Sequence, residues 1–377
     1  MKKTDIFYLF FILFFLITGT SYAITGSSDR PMKLTADELP WRILQQAQIC
    51  FNDGNYADAF MYAQQATENR KRECDWMLYV LNKELKPVEV QKAGDSLSAI
   101  TVLLKKRESN DALDILKSVY NKKNIDYFND SKQKVFEYIQ SQYNYPEADF
   151  LIGRIYRVEG EYSIAEKYYM RALEHSDALS IPNQKYDILY ELAHLSEVQQ
   201  NHDAYEKYLL LIVSGDQLYT DKTMLSAMKR TLRNKMNGIL DKFFLMYRDK
   251  NIISMDAFFK LAELYRERND TEAALMASAY GVINAFTHIY TIMLQRDPNF
   301  EYTDFSTFLA EMLKYRDIQE WVQSKNIWQE FADFADTARQ YNCPSFAGEL
   351  SAALEKSVSD QNLRKQLQSK LQPTVNQ

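Results

Sequence analysis

At 377 residues and a formal net charge of −6, the chain is long enough to bury a large core and has no basic excess to favour nucleic acid. Three cysteines, Cys50, Cys74 and Cys343, are too few and too far apart for a disulfide framework. Ten glycines and eight prolines, set against abundant Leu, Ala, Glu, Lys, Gln and Tyr, predict an all-α protein rather than a turn-rich sheet.

The chain opens with the basic stretch MKKTD and the apolar run IFYLFFILFFLI, which ends at Thr18-Gly19-Thr20. That run falls short of the roughly 20 apolar residues a spanning helix needs. Ser21-Tyr22-Ala23 then offers small residues at the two positions a signal peptidase inspects. Residues 1–23 therefore read as a signal peptide cleaved after Ala23, which implies export to a periplasm. An uncleaved N-terminal membrane anchor is the alternative reading. No cysteine sits at the cleavage site to carry a lipid. Residues 24–39 follow as a linker.

The first helical hairpin is expected from Pro40 to Glu73, where Ile43, Ala47, Gly54, Tyr56, Ala59, Ala63 and Ala66 recur at helical spacing around one break. A weaker copy, LSAITVLLKKRESNDALDILKSV, rests on Ala112, Leu116 and Val119. Ala59, Ala112 and Ala165 are 53 residues apart, which calls for additional helices around Asp75 to Leu85 and Lys132 to Tyr143. The clearest hairpin runs from Pro146 to Leu179. In it Ile152, Ile155 and Tyr156 lie before Glu159-Gly160-Glu161, and Ile164, Ala165, Tyr168, Tyr169 and Ala172 lie after it. Gly160 suits the left-handed residue that ends a helix. Gly153 and Ala165 carry almost no side chain, so they let two backbones approach closely while Tyr156 and Tyr169 fill the space beside them.

Next in the chain, YDILYELAHLSEVQQNHDAYEKYLLLI repeats the pattern with Leu189, Leu192 and Ala193, but places Tyr205 where a small residue is expected. Thr223 to Arg248 reads as one long helix or a degenerate pair. Met255 to His288 restores the pattern with Phe258, Leu261, Ala262, Tyr265, Ala274 and Gly281. After a break at Asp297-Pro298-Asn299, helical segments are expected around Phe305 to Val322 and Asn326 to Tyr341, followed by a helix from Phe346 to Val358 behind Pro344. The tail, residues 372–377, is polar.

These hairpins resemble the tetratricopeptide (TPR) repeat, a helix-turn-helix unit of about 34 residues. The resemblance covers residues 40–288 and rests on Ala47, Gly54, Ala59, Gly153, Tyr156, Gly160, Ala165, Ala172, Ala262 and Ala274. Asp149 departs from it where the family prefers Trp or Leu, and Asp177 where it often has Pro. The resemblance implies a TPR-like right-handed helical-hairpin solenoid. Beyond it, Trp321, Trp328, Phe331 and Phe334 make residues 289–371 rich in apolar surface, which reads as a C-terminal helical cap, with a separate ligand-binding domain as the alternative. Stacked hairpins present the inner faces of their first helices along one concave surface. Here those faces carry Glu147, Phe150, Arg154 and Arg157, then Asp187, Tyr190, His194 and Glu197. Phe150, Arg154, Arg157, Tyr190 and His194 are the candidate partner-binding residues, because aromatic rings beside arginines suit binding hot spots. The Lys and Asn clamp with which some relatives hold chaperone carboxylates is replaced by Gln48, Arg154, His194 and Glu263.

No HExxH, GxSxG, Walker loop, GxGxxG or CxxC occurs, so the sequence nominates no catalytic residue, metal ligand or cofactor. Only His194 and His202 of the four histidines are near in sequence, and no Cys or carboxylate set joins them as a metal site. The function expected is an exported scaffold that binds a protein or peptide partner in a bacterial cell envelope. The alternative is a carrier sheltering a small apolar ligand against the helices around Trp321 and Trp328; an enzyme ranks third.

Overall fold

A computed structural model describes residues 31–81, 126–223 and 252–341, with isolated positions between and beyond them. The leader, the weak copy at 97–119, most of Thr223 to Arg248, most of Phe346 to Val358, Cys343 and the tail lie outside the described residues. Every described element is a helix or turn, so the protein is all-α there. The chain divides into two compact units, one built from residues up to 46 together with 64–144, the other from 47–63 together with 145 onward.

Helices α1 (Pro40–Asn52) and α2 (Tyr56–Tyr79) contribute to both units. The sequence suggests a separate helix beginning near Asp75, but α2 is continuous to Tyr79. The reason is local: no glycine or proline interrupts residues 56–79. In the first unit, Cys74, Met77, Val80 and Leu81 pack with Val135 and Ile139 of α3 (Asp126–Ser141). Residues 35–38, within the stretch read as linker, form a turn pinned to α2. Glu38 Oε2 accepts from Thr35 N at 2.9 Å, and Asn69 Nδ2 donates to the Glu38 carbonyl at 2.7 Å. Cys50 and Cys74 are both buried, and burial pushes the Cys74 thiol up to about 12.

The second unit contains α4 (Pro146–Val158), α5 (Tyr162–Glu174), α6 (Gln184–Val198), α7 (His202–Val213), α8 (Met255–Glu267) and α9 (Thr271–Arg296). It continues with α10 (Phe305–Met312), α11 (Arg316–Ser324) and α12 (Ile327–Gln340). Each helix from α4 to α9 packs on its successor in this order, and α12 packs on α9.

One turn geometry links α1 to α2, α4 to α5, α6 to α7 and α8 to α9. Gly54, Gly160, Gln200 and Asn269 each adopt a left-handed backbone, with φ of 77°, 81°, 57° and 60°. The following N–H reaches back five residues in every case: Asn55 to Cys50 at 2.8 Å, Glu161 to Tyr156 at 2.9 Å, Asn201 to Ser196 at 2.8 Å, and Asp270 to Tyr265 at 2.9 Å. This Schellman arrangement satisfies carbonyls that the ending helix leaves open. The Asn55, Asn201 and Asp270 side chains then accept backbone N–H groups of the next helix, which starts it at once.

Seven residues before each left-handed residue stands Ala47, Gly153, Ala193 or Ala262, all buried. Five residues after it stands Ala59, Ala165, Tyr205 or Ala274, also buried. Tyr156 and Ala172 of the clearest copy are likewise buried. Between α7 and α8 the chain inserts about forty residues, yet the two helices still pack together. The base of the insertion is tied by Ser254 Oγ, which donates to Asp216 Oδ2 at 2.8 Å, both residues being buried.

Beyond Gly281, α9 runs on to Arg296 as one 26-residue helix, buried on most of its length from Ala274 to Ile289. The helical stretch expected around Phe305 to Val322 consists of two helices, α10 and α11. Tyr315 adopts an extended conformation between them. Arg296 at the end of α9 holds this break, with its guanidinium 4.8 Å from the Tyr315 ring and an ion pair to Asp317. Phe286, Phe305, Phe308, Phe331 and Phe334 fill the space beneath these helices; the Phe286 and Phe331 ring centres are 4.7 Å apart.

Candidate functional site: the face of the first helices

The first helices of successive hairpins, α4, α6 and α8, come side by side. Arg157 Nε on α4 lies 3.0 Å from Glu191 Oε2 on α6, and Glu197 on α6 lies 3.9 Å from Lys260 Nζ on α8. Tyr190 on α6 donates its hydroxyl to the Ile253 carbonyl at 2.6 Å and accepts the Ala257 N–H at 3.1 Å. The last contact has a local cause. Ser254, the N-cap of α8, forms no side-chain cap bond and gives its hydroxyl to Asp216, so Tyr190 supplies an acceptor to the first turn from outside the helix.

The five candidate binding residues lie on this face in different states. Phe150 is buried, its ring centre 5.7 Å from that of Tyr169. The Arg154 guanidinium sits 4.4 Å above the Phe51 ring and 6.0 Å from Phe150, a cation–π seat that keeps it half-buried. Arg157 is half-buried in its ion pair with Glu191, and Glu191 Oε2 accepts a hydrogen bond from the Tyr169 hydroxyl at 3.3 Å. Tyr190 is half-buried, and burial pushes its phenol well above the ordinary tyrosine range. His194 is exposed, with Nδ1 3.6 Å from Glu197. Glu147, at the start of α4, accepts from Ser180 N at 2.7 Å and Ser180 Oγ at 2.8 Å, tying the next inter-hairpin loop to the face.

Carboxylates outnumber cations towards α8. Burial raises Asp187, and the neighbouring Arg154 charge opposes that rise. Glu197, Glu263 and Glu267 together help to push up the Tyr205 phenol beneath them, although burial is the larger cause. Glu191, Lys260 and Glu263 carry this electrostatic surface, and periodicity alone did not bring out the pairings of Glu191 and Lys260. Their partners lie on other helices, at separations that no local spacing rule reports.

Asp149, one of the departures from the repeat pattern, is buried on α4 and held by two bonds from Arg171 on α5, one of them Nε to Oδ2 at 2.8 Å. Elsewhere in this unit, a cavity of about 480 Å³ is lined by Tyr219, Phe258, Leu261, Tyr265, Met276 and Tyr280.

Among the described residues, no group of three or more His, Cys, Asp and Glu side chains is placed to hold a metal ion. No described helix is long and apolar enough to cross a membrane. No protein-family model matches the chain. It is similar to an uncharacterised protein of Treponema pallidum (strain Nichols), 29% identical over 322 residues that cover 84% of each chain. It is also similar to an uncharacterised protein of Borreliella burgdorferi (strain ATCC 35210 / DSM 4680 / CIP 102532 / B31). That match is 19% identical over 217 residues, covering 52% of this chain and 67% of the other.

Proposed function

We propose that the chain is an exported, TPR-like helical-hairpin solenoid that binds a protein or peptide partner in a bacterial cell envelope through the face of its first helices. The observation that carries this reading is the fourfold recurrence of one turn geometry with small residues at matching offsets. Hairpins of that kind bury their apolar faces only by stacking, and stacking lines up their first helices as one surface. Export rests on the basic start, the apolar run and the small residues at 21 and 23. The ring-filled space among Phe286, Phe305, Phe308 and Phe331 favours a scaffold over a carrier at the C-terminal end.

Recognition on such a face concentrates in a few anchors rather than in total contact area. Of the candidate residues, His194 is exposed and Arg154, Arg157 and Tyr190 are half-buried, so His194 offers the most open polar surface to a partner. A photocrosslinking side chain placed at His194 in intact cells should yield one discrete adduct, while the same group at exposed Lys167 on α5 should not. Adducts of equal yield from both positions, or from neither, would reject the face assignment.

The second reading is a carrier of a small apolar ligand, and the cavity beside Tyr219 and Tyr280 is the observation in its favour. Extraction of the purified protein into organic solvent, followed by mass spectrometry, would recover a stoichiometric apolar molecule if this reading holds.

A further inference from the structure

Helix α12 meets α8 through charged groups. On the α12 side these are Glu330 and Asp333; Lys325 lies in the turn before α12; on the α8 side they are Asp256, Glu263 and Arg266. Both nearby cations are engaged with other carboxylates. Arg266 pairs with Asp333 at 3.3 Å and reaches Ser278 Oγ on α9 at 3.4 Å, and Lys325 pairs with Asp256 at 2.7 Å. The other carboxylate oxygen of Asp333, Oδ1, accepts from Gln329 at 2.9 Å. Four carboxyl groups therefore share two cations. Glu263 is exposed, whereas Glu330 is half-buried and its Oε2 is shut off from solvent with no hydrogen-bond partner among the described residues.

An unpaired carboxylate oxygen removed from water is unfavourable beside three other acids, and a neutral carboxyl is not. Elsewhere α9 meets α12 with apolar groups such as Phe286 against Phe331, and at the far end Glu272 of α9 accepts from the hydroxyl of Tyr341, the C-cap of α12, at 3.2 Å. The geometry points to a proton-governed seat: α12 docks fully on α8 when Glu330 is neutral and loosens when Glu330 ionises.

Burial, followed by the charge of Asp333, pushes the Glu330 carboxyl up to about 7, while Arg266 opposes the rise. Because the folded state holds this proton more tightly than the unfolded chain, the stabilisation is complete below the ordinary glutamate range. It is lost as pH rises through about 7. The linkage operates in the window an exported protein meets when its surroundings turn from acidic to alkaline.

Hydrogen exchange of the full chain, resolved to peptides within 327–340 and corrected for the intrinsic pH dependence of exchange, tests the proposal. Protection in the wild type should fall about tenfold or more between pH 6 and pH 8.5, and Glu330→Gln should hold the protected level at both. Asp333→Asn should keep the pH response with a lower midpoint. A wild type whose α12 protection does not change would overturn the proposal whatever the variants do. An equal pH response in Glu330→Gln would overturn it as well.

Discussion

The ring of Tyr169 lies flat in the space that a side chain at Gly153 would occupy. A Cβ on Gly153 would come within 2.5 Å of two Tyr169 ring carbons and 3.3 Å of the Ala165 carbonyl. Tyr169 is fully buried, so its ring has nowhere to retreat. Replacing glycine by alanine inside a helix normally gains about 1 kcal/mol. Overpacking in a close-packed core costs about 1–3 kcal/mol and outweighs that gain here. Gly153→Ala should therefore lower stability, read as a reduced urea midpoint with an unchanged slope. A midpoint equal to or above that of the wild type would show that the α4–α5 seam is looser than this contact implies.

The same pair explains what was legible in the sequence and what was not. Small residues at fixed offsets pointed to the hairpins because steric exclusion at a helix crossing depends on the two residues that meet there. At the position of Tyr169 the other hairpins carry Ala63, Leu209 and Ser278, and opposite them stand Ala47, Ala193 and Ala262. The hairpin that carries tyrosine there also carries glycine. The four left-handed turns were only half visible: Gly54 and Gly160 announce themselves, whereas Gln200 and Asn269 adopt the same backbone without glycine. The candidate site was less legible still. Spacing placed Phe150, Arg154, Arg157, Tyr190 and His194 on helix faces, but it could not say that Phe150 is buried or that Arg157 and Tyr190 bridge to the next helix. Those outcomes depend on Glu191, Ile253 and Ala257, which belong to other elements.

Gln200 holds a backbone conformation that costs a residue with a Cβ about 1 kcal/mol relative to glycine. Gln200→Gly should raise the stability of the α6–α7 hairpin by about that amount, partly offset by the greater freedom of glycine in the unfolded chain. The reciprocal change Gly160→Ala meets no atom within 4 Å and should destabilise through backbone strain alone, by about 1–2 kcal/mol. Thermal unfolding of both variants checks the pair. Opposite signs are expected, and shifts in the same direction would contradict a shared turn geometry.

Tyr190 joins two hairpins by a hydroxyl rather than by its ring. Tyr190→Phe removes the donor to the Ile253 carbonyl and the acceptor for the Ala257 N–H, both in a partly buried setting. The expected cost is about 1–2 kcal/mol. The raised phenol keeps its proton through neutral and mildly alkaline pH, so the loss should be the same at pH 6 and pH 9. Faster hydrogen exchange in the first turn of α8, without a change in α4, would be the local signature. Unaltered exchange there would mean that α8 is capped by other means.

Asp149 and Arg171 separate the contribution of an ion pair from that of the shape it fills. Asp149 is nearly excluded from water, with its side chain 6% exposed, while Arg171 remains 50% exposed. Removing the carboxylate charge leaves an arginine that can turn back into solvent. The cost should therefore stay well below the roughly 3–5 kcal/mol typical of an orphaned buried charge. Asp149→Asn is expected to cost about 1–2 kcal/mol, because a buried amide replaces a bidentate acceptor. Asp149→Leu puts an apolar residue at this buried position and should be neutral or mildly stabilising, since an apolar group of similar reach often replaces a buried charge without loss. Chemical denaturation of both variants decides the matter: leucine should unfold at a higher midpoint than asparagine. The reverse order would mean that the α4–α5 contact is shaped around the guanidinium and has no room for a branched side chain.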